Sequence, residues 1–328
     1  MLKKIMKTLL IYGSALLFVL FSIWFAVTQP VWVNDQKTAQ PDIDPATLRS
    51  HVVMLSETLP PRTGTETDLR PTINWLEGQL SQYGELQRQT YEAVGQQFHN
   101  LILEFGPDTG KTLVIGAHYD THAGLPGADD NASGVAGLIE LARLLSTTDL
   151  QRRVTLVAYT LEEYVFYATP FMGSYVHAKM LKDKNIDVEL MISLEMIGYF
   201  NDEPDSQLFP VSWLKHFYSD RGDFIAVIGN MSNIPAVRTV KSSFLRSAGE
   251  KLPVYSLNAP MLLVPGIDSS DHRNYWIMDY PAVMITDTAY NRNLAYHTPQ
   301  DTADRLDYDK MADVVKATYQ LVLDMNHP

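Results

Sequence analysis

An α/β fold, with a mixed and mostly parallel central sheet, helices on both faces and one transmembrane helix in front, follows from three observations. Short apolar runs alternate with segments of helical spacing along most of the 328-residue chain. Several of those runs, such as Thr112-Leu113-Val114-Ile115-Gly116-Ala117, are apolar throughout, as strands buried on both faces must be. Finally, Leu9 to Val27 carries no charge at all.

That first segment is long enough for a bilayer, which a helix crosses with roughly 20 apolar residues. Lys3, Lys4 and Lys7 precede it, and basic flanks stay cytoplasmic, so the chain beyond about Pro30 is expected outside the cytoplasm. Residues 1–30 therefore read as a membrane anchor. The alternative is a signal sequence removed on secretion, but Ala26-Val27-Thr28-Gln29-Pro30 is a poor cleavage flank and the apolar stretch is long for a leader. Residues 31–45 are polar and proline-punctuated, as a tether would be.

The remaining residues, 46–328, form one domain without internal repeat or low-complexity segment. Helical spacing covers Ala46 to Leu59 and Thr67 to Tyr83, and strand-like patterns follow at Glu85 to Tyr91 and Phe98 to Phe105. After the turn Pro107-Asp108-Thr109-Gly110 comes the apolar strand from Thr112 to Ala117, then a helix from Asn131 to Leu145. A strand at Val154 to Tyr159, a helix near Gly173 to Leu181 and a strand at Val188 to Leu194 continue the alternation. Further strands are expected at Phe224 to Ile228 and Ala282 to Thr286, with helices at Pro235 to Ala248 and Arg305 to Met325.

Composition narrows the chemistry. A net charge of −12 repels nucleic acid, which is excluded as a partner. The absence of cysteine removes disulfides and thiolate ligands together, so any metal is held by His, Asp and Glu. Five clusters of such residues stand at or near strand ends, where ligands bind in open α/β sheets.

His118-Tyr119-Asp120 follows the apolar strand directly, and Asp120 is placed to accept the second ring N–H of His118. Asp129-Asp130 lies in a tight turn leading into a helix, and a carboxylate there is able to bridge two cations. Glu162-Glu163 ends the next strand region and divides into two tasks, one side chain binding metal and the other taking the proton of an attacking water. Glu195 terminates an otherwise buried run, a costly position for a charge without a partner. His297 sits in the loop before the last helix, where Asp301 and Thr302 are ordinary caps but a histidine is not. His122 lies close to His118, yet nothing in the pattern makes it a ligand.

Read together from Asn100 to Asp307, these motifs resemble the zinc-dependent aminopeptidase family that includes bacterial leucyl aminopeptidases, aminopeptidase Y, glutamate carboxypeptidase and glutaminyl cyclases. The resemblance implies the Zn-exopeptidase fold of phosphorylase/hydrolase type, two Zn²⁺ ions and a peptide substrate cleaved at its N-terminus. It further implies that Asp130 bridges the ions, that His118 and Glu195 complete one site, and that Glu163 and His297 complete the other. Glu162 is then the general base, with Asp120, Asp271 and His272 in supporting places around the ligands. Two departures stand out. Tyr164 to Met172 lengthen the segment after the glutamate pair, and Glu195 occupies a position where many members carry Asp. The family leaves two further readings open, a one-zinc glutaminyl-peptide cyclase and a binding ectodomain without catalysis.

Overall fold

The computed structural model describes residues 2–33, 41–249 and 251–326, so the middle of the tether expected at 31–45, residues 34–40, lies outside the described residues. Eight strands form one sheet in the order β1-β2-β4-β3-β5-β8-β6-β7. They are β1 (Gln87–Ala93), β2 (Gln96–Phe105), β3 (Thr112–His118), β4 (Arg153–Tyr159), β5 (Val188–Glu195), β6 (Ile225–Gly229), β7 (Val254–Asn258) and β8 (Ala282–Thr286). The central four, β4, β3, β5 and β8, run parallel. Antiparallel pairing of β2 with β4 and of β6 with β8 makes the sheet mixed.

The helices are α1 (Leu2–Thr28), α2 (Pro45–Val53), α3 (Glu66–Leu80), α4 (Gly134–Leu145), α5 (Gly173–Asp183), α6 (Ile234–Ala248), α7 (His272–Ile277) and α8 (Tyr308–Met325). Local chemistry starts several of them. Asp44 accepts a hydrogen bond from the Ala46 N–H ahead of Pro45, Thr65 accepts from Asp68 and Asp307 from Lys310. The side chains of β3 show why its residues are apolar on both sides. Leu113, Ile115 and Ala117 join a core with α2, α3, α4, α6 and α8, while Val114 joins one with Ala178 and Leu181 of α5 and Tyr275 of α7.

Towards β6 and β7 the second face is met, among the described residues, by the end of α1 but by no helix lying along it. Residues 208–218 and 259–267 cover it instead, contributing Leu214, Ala259, Val264 and Ile267 to a third core against Ala226, Ile228 and Met284. An apolar pocket remains beneath these loops.

Two elements are not announced by sequence pattern. Strand β7 mixes Tyr255 and Ser256 with Val254 and Leu257 because it is an edge strand, and α7 has only six residues, too few to show a helical period. At the other extreme, α1 is the one helix among the described residues long and apolar enough to cross a membrane, and its body is exposed. Its last turn is not. Thr28 and Gln29 are buried against α6 and β7.

Candidate metal centre

The carboxyl ends of β3, β4 and β5 meet where the chain passes from β3 to β4 on one side and to β5 on the other, the usual place for a site in such a sheet. His118 is the last residue of β3 and Glu195 the last of β5. The loop from Ala128 to Ser133 brings Asp130 over them.

Several buried groups hold that loop. Asp301 accepts hydrogen bonds from the backbone N–H groups of Asp129 and Asp130, at 3.0 and 3.1 Å. Asn131 spans two elements, donating to the Leu194 carbonyl at 2.8 Å and accepting from the N–H groups of Gly134 and Met196. Gly127 adopts φ +58°, and a Cβ there would collide with the Asp130 carbonyl oxygen. Asp129, the neighbouring carboxylate, turns away and accepts from Gly198 N–H and Asn293. Tertiary packing thus separates the adjacent pair.

The two oxygens of Asp130 face different histidines. Oδ1 lies 3.4 Å from His118 Nε2, and Oδ2 lies 3.1 Å from His297 Nε2. On the first side His118 Nε2 is also 3.4 Å from Glu195 Oε2 and 3.9 Å from Glu162 Oε2. On the second, His297 Nε2 is 3.2 Å from Glu163 Oε2. Donors about 2.0–2.1 Å from a tetrahedral ion stand roughly 3.3 Å apart, so both groups have the spacing of ligands around a shared cation.

Burial makes the same point. Both ring nitrogens of His118, His297 Nε2 and Glu163 Oε1 are buried without a hydrogen-bond partner. Polar atoms left so cost free energy that a cation would recover. The all-nitrogen-and-oxygen donor set fits Zn²⁺.

Asp120 does more than the spacing suggests. Its Oδ1 is 3.6 Å from His118 Nδ1, while its two oxygens accept the backbone N–H groups of Glu162 and Glu163, each at 3.1 Å. It therefore aims the glutamate pair as well as facing the histidine. Ser270 donates to Glu195 Oε2 at 2.6 Å and fixes that carboxylate. Asp271 is buried beside these groups with no hydrogen-bond partner, and burial pushes its carboxyl up to about 7. His272 stays outside both clusters, with Nε2 2.9 Å from the Ile267 carbonyl.

His122, which has no role in the sequence pattern, does reach the site. Its ring stacks on His297 at 4.1 Å, nearly parallel, and its Nδ1 is 3.6 Å from Glu163 Oε2. Tyr296 covers the other face of the His297 ring at 3.7 Å. His297 itself takes a left-handed backbone, φ 54°, a strain tolerated where packing over-determines the position.

Arg62 also escapes sequence reasoning, because a lone arginine outside a motif reads as surface. It is fully buried, donating to the carbonyls of Tyr119 (2.8 Å), Pro126 (3.1 Å), Gly127 (2.9 Å) and Leu55. These bonds tie the strand carrying His118 to the loop carrying Asp130. Arg62→Met is expected to cost about 3 kcal/mol, since charged hydrogen bonds are lost and buried carbonyls stranded. A urea titration reads this as a lower midpoint at unchanged slope.

Without cations the cluster holds protons. Burial works against charge on His118, but Glu195 and Glu162 outweigh it and raise its pKa well above the usual imidazole value. His297 is raised to about 9, burial again being outweighed by Asp130 and Glu163. Burial also lifts Asp130, yet the two histidines hold it well below the carboxylate range. Glu163 rises to about 7 through burial and the nearby Asp130.

The signs give a prediction. Histidines whose folded pKa is raised stabilise the metal-free protein fully below the unfolded value of 6.5, and that contribution is lost as pH rises through about 9. Metal must displace those protons, so zinc affinity strengthens towards pH 9 and weakens in acid. Calorimetric titration of the metal-free protein at pH 7, in buffers of different ionisation enthalpy, is expected to show net proton release. Buffer-independent heats would contradict the assignment.

Comparison with known proteins places this geometry. The model of "Peptidase family M28" matches residues 100–322, from within β2 to within α8. The chain belongs to peptidase family M28. The relatives of this M28 chain include Uncharacterized protein YfbL of Escherichia coli K12, 44% identical over 95% of this chain and 98% of that protein. Leucine aminopeptidase 1 of Paracoccidioides brasiliensis is 25% identical over 72% of the chain and 58% of its own length, so this M28 chain spans little more than half of that relative. Among solved structures, LapB of Legionella pneumophila superposes with a TM-score of 0.70 at 22% identity, over 88% of this chain and 73% of that one. Porphyromonas gingivalis glutaminyl cyclase does so with 0.67 at 19%, over 88% of this chain and all of that one. At such identities the structural likeness speaks for the M28 fold.

Proposed function

We propose that this M28 chain is a two-zinc aminopeptidase, anchored in a membrane by α1 with its catalytic domain outside the cytoplasm. The observation carrying the two-ion reading is the orientation of Asp130, whose oxygens face separate histidines at 3.4 and 3.1 Å. His118, Asp130 and Glu195 would hold one ion, and Asp130, Glu163 and His297 the other.

Bound zinc polarises the scissile carbonyl and makes an attacking water more acidic. The remaining chemistry belongs to the protein. Glu162 reaches to 3.9 Å from His118, and its backbone is aimed by Asp120. Burial raises its carboxyl well above the ordinary value, against the pull of His118. Such a carboxylate accepts the water proton readily and returns it to the leaving amine.

An apolar pocket begins at Glu195 and Tyr296 and continues between Phe209, Tyr218, Tyr255 and Met284. It suits a large apolar side chain on the substrate, so leucyl, methionyl and phenylalanyl substrates are expected to outrun aspartyl and lysyl ones. Within the segment Tyr164 to Met172, Tyr164 and Val165 are exposed, Tyr164 lies near His122 and Tyr167 donates to the Asp268 carbonyl at 3.0 Å. The anchor reading is supported by the buried last turn of α1, since cleavage at 26–30 would remove residues packed into the body.

The test is zinc analysis of the full chain in detergent, with aminoacyl, N-blocked and N-terminal glutaminyl substrates. Two zinc ions and cleavage confined to free-amine substrates support the reading. One zinc with pyroglutamate formation would replace it by a cyclase, and zinc-free protein with full activity would overturn it.

A further inference from the structure

We infer that the face of the catalytic domain around the end of α1 rests on the lipid bilayer, with the loop Pro260-Met261-Leu262-Leu263 dipping into it. The inference rests on reading α1 as an uncleaved anchor.

The length of the apolar span sets the height of the domain. Leu9 to Val27 at 1.5 Å per residue extends about 28 Å, close to the ~30 Å hydrocarbon thickness, so hydrocarbon ends where Thr28 begins. Thr28 and Gln29 are already inside the domain, 7% and 2% exposed. Lys241 of α6, itself buried, donates to the Thr28 carbonyl at 2.8 Å, the Gln29 carbonyl at 3.2 Å and Ser256 Oγ at 3.1 Å. Ser256 of β7 also donates to the Thr28 carbonyl, at 2.6 Å. Arg238 donates to the Pro30 carbonyl at 3.1 Å and lies over the Phe25 ring. A cation at a helix C-terminus is well placed for the dipole, and these bonds leave no slack between span and body. The domain is held against the headgroups.

Exposed apolar residues surround that clamp. Val27 packs on the third core, to which Ala259 and Val264 belong. Between those two buried residues the chain loops outward, leaving Leu262 98%, Leu263 63% and Met261 46% exposed. No residue from 259 to 265 is charged. Trp32, just past the helix, is 83% exposed, and Trp213 stands beside the buried Leu214 of the same core. Contiguous exposed apolar residues are uncommon on a water-facing surface, and tryptophans collect at membrane interfaces. Residues 208–210, Leu214 and residues 264–267 also wall the apolar pocket, so the pocket lies in the part of the domain nearest the membrane.

The cysteine-free sequence makes the test clean. Single variants Leu262→Cys, Gln87→Cys and Phe18→Cys are labelled with a fluorophore in the full chain and reconstituted into phosphatidylcholine–phosphatidylglycerol vesicles. Gln87 is exposed on β1, at the far edge of the sheet from β7, and reports water; Phe18 lies mid-helix and reports hydrocarbon. The expected result is a Leu262 label quenched severalfold more by spin-labelled lipid than the Gln87 label, and shielded from aqueous iodide. A Leu262 label as open to iodide as Gln87 overturns the inference while Phe18 remains lipid-quenched. Shielding from both quenchers overturns it too, by pointing to a protein neighbour. A Phe18 label that lipid does not quench removes the anchor reading itself.

Discussion

Glu162→Gln is expected to leave zinc content at the level of the unaltered protein while turnover falls by about 10²–10⁴-fold, the usual contribution of a general base. The substitution is nearly isosteric, and the backbone N–H of Glu162 still meets Asp120, so the loop keeps its place. What disappears is a carboxylate that burial has made unusually willing to hold a proton. Its oxygen lies farther from His118, at 3.9 Å, than the Asp130 and Glu195 oxygens do, at 3.4 Å, so little metal affinity depends on it. The assay pairs zinc quantification with kcat on a leucyl substrate. Full activity would remove the base from Glu162, and loss of zinc would make that residue a ligand instead.

Asp130→Ala is expected to have the wider effect. It strips both histidines of the carboxylate oxygen facing them, so the two candidate ion positions fail together. Losing an outer-shell partner typically weakens metal affinity 10–100-fold, and losing a shared ligand exceeds that. Activity should become undetectable and zinc content fall towards zero. Zinc added to the stripped, unaltered protein should raise Tm by mass action, and in the Asp130→Ala variant this rise should vanish. By contrast, Glu163→Ala removes an oxygen from the His297 side alone. One retained zinc in that variant, against none in Asp130→Ala, would separate a bridging carboxylate from an ordinary one.

Much of the fold is legible because it rests on local periodicity. The apolar run of β3 demands burial on both faces, and the helical spacing of α8 continues to Met325 whatever it packs against. At the β7 edge of the sheet, and in α7, the local pattern is weaker. Strand β7 has an ordinary polar mixture, and α7 is too short for its pattern to count. Lys241 shows the limit plainly: within a helical segment it reads as solvent-facing, yet it is buried holding the carbonyls that end α1.

The site divides in the same way. By itself the sequence determined which side chains are available for chemistry, because His118, Glu195 and the glutamate pair stand at strand ends that periodicity locates. Its motifs also determined the family, since their order along the chain survives without coordinates. Only the tertiary structure decided which oxygen of Asp130 faces which histidine, that Asp129 turns away, and that His122 stacks on His297. It likewise decided the apolar pocket and the seat of α1 on β7. The physical reason is range. Periodicity and capping act within a few residues, whereas these arrangements depend on contacts between segments far apart in the chain, which no local pattern records.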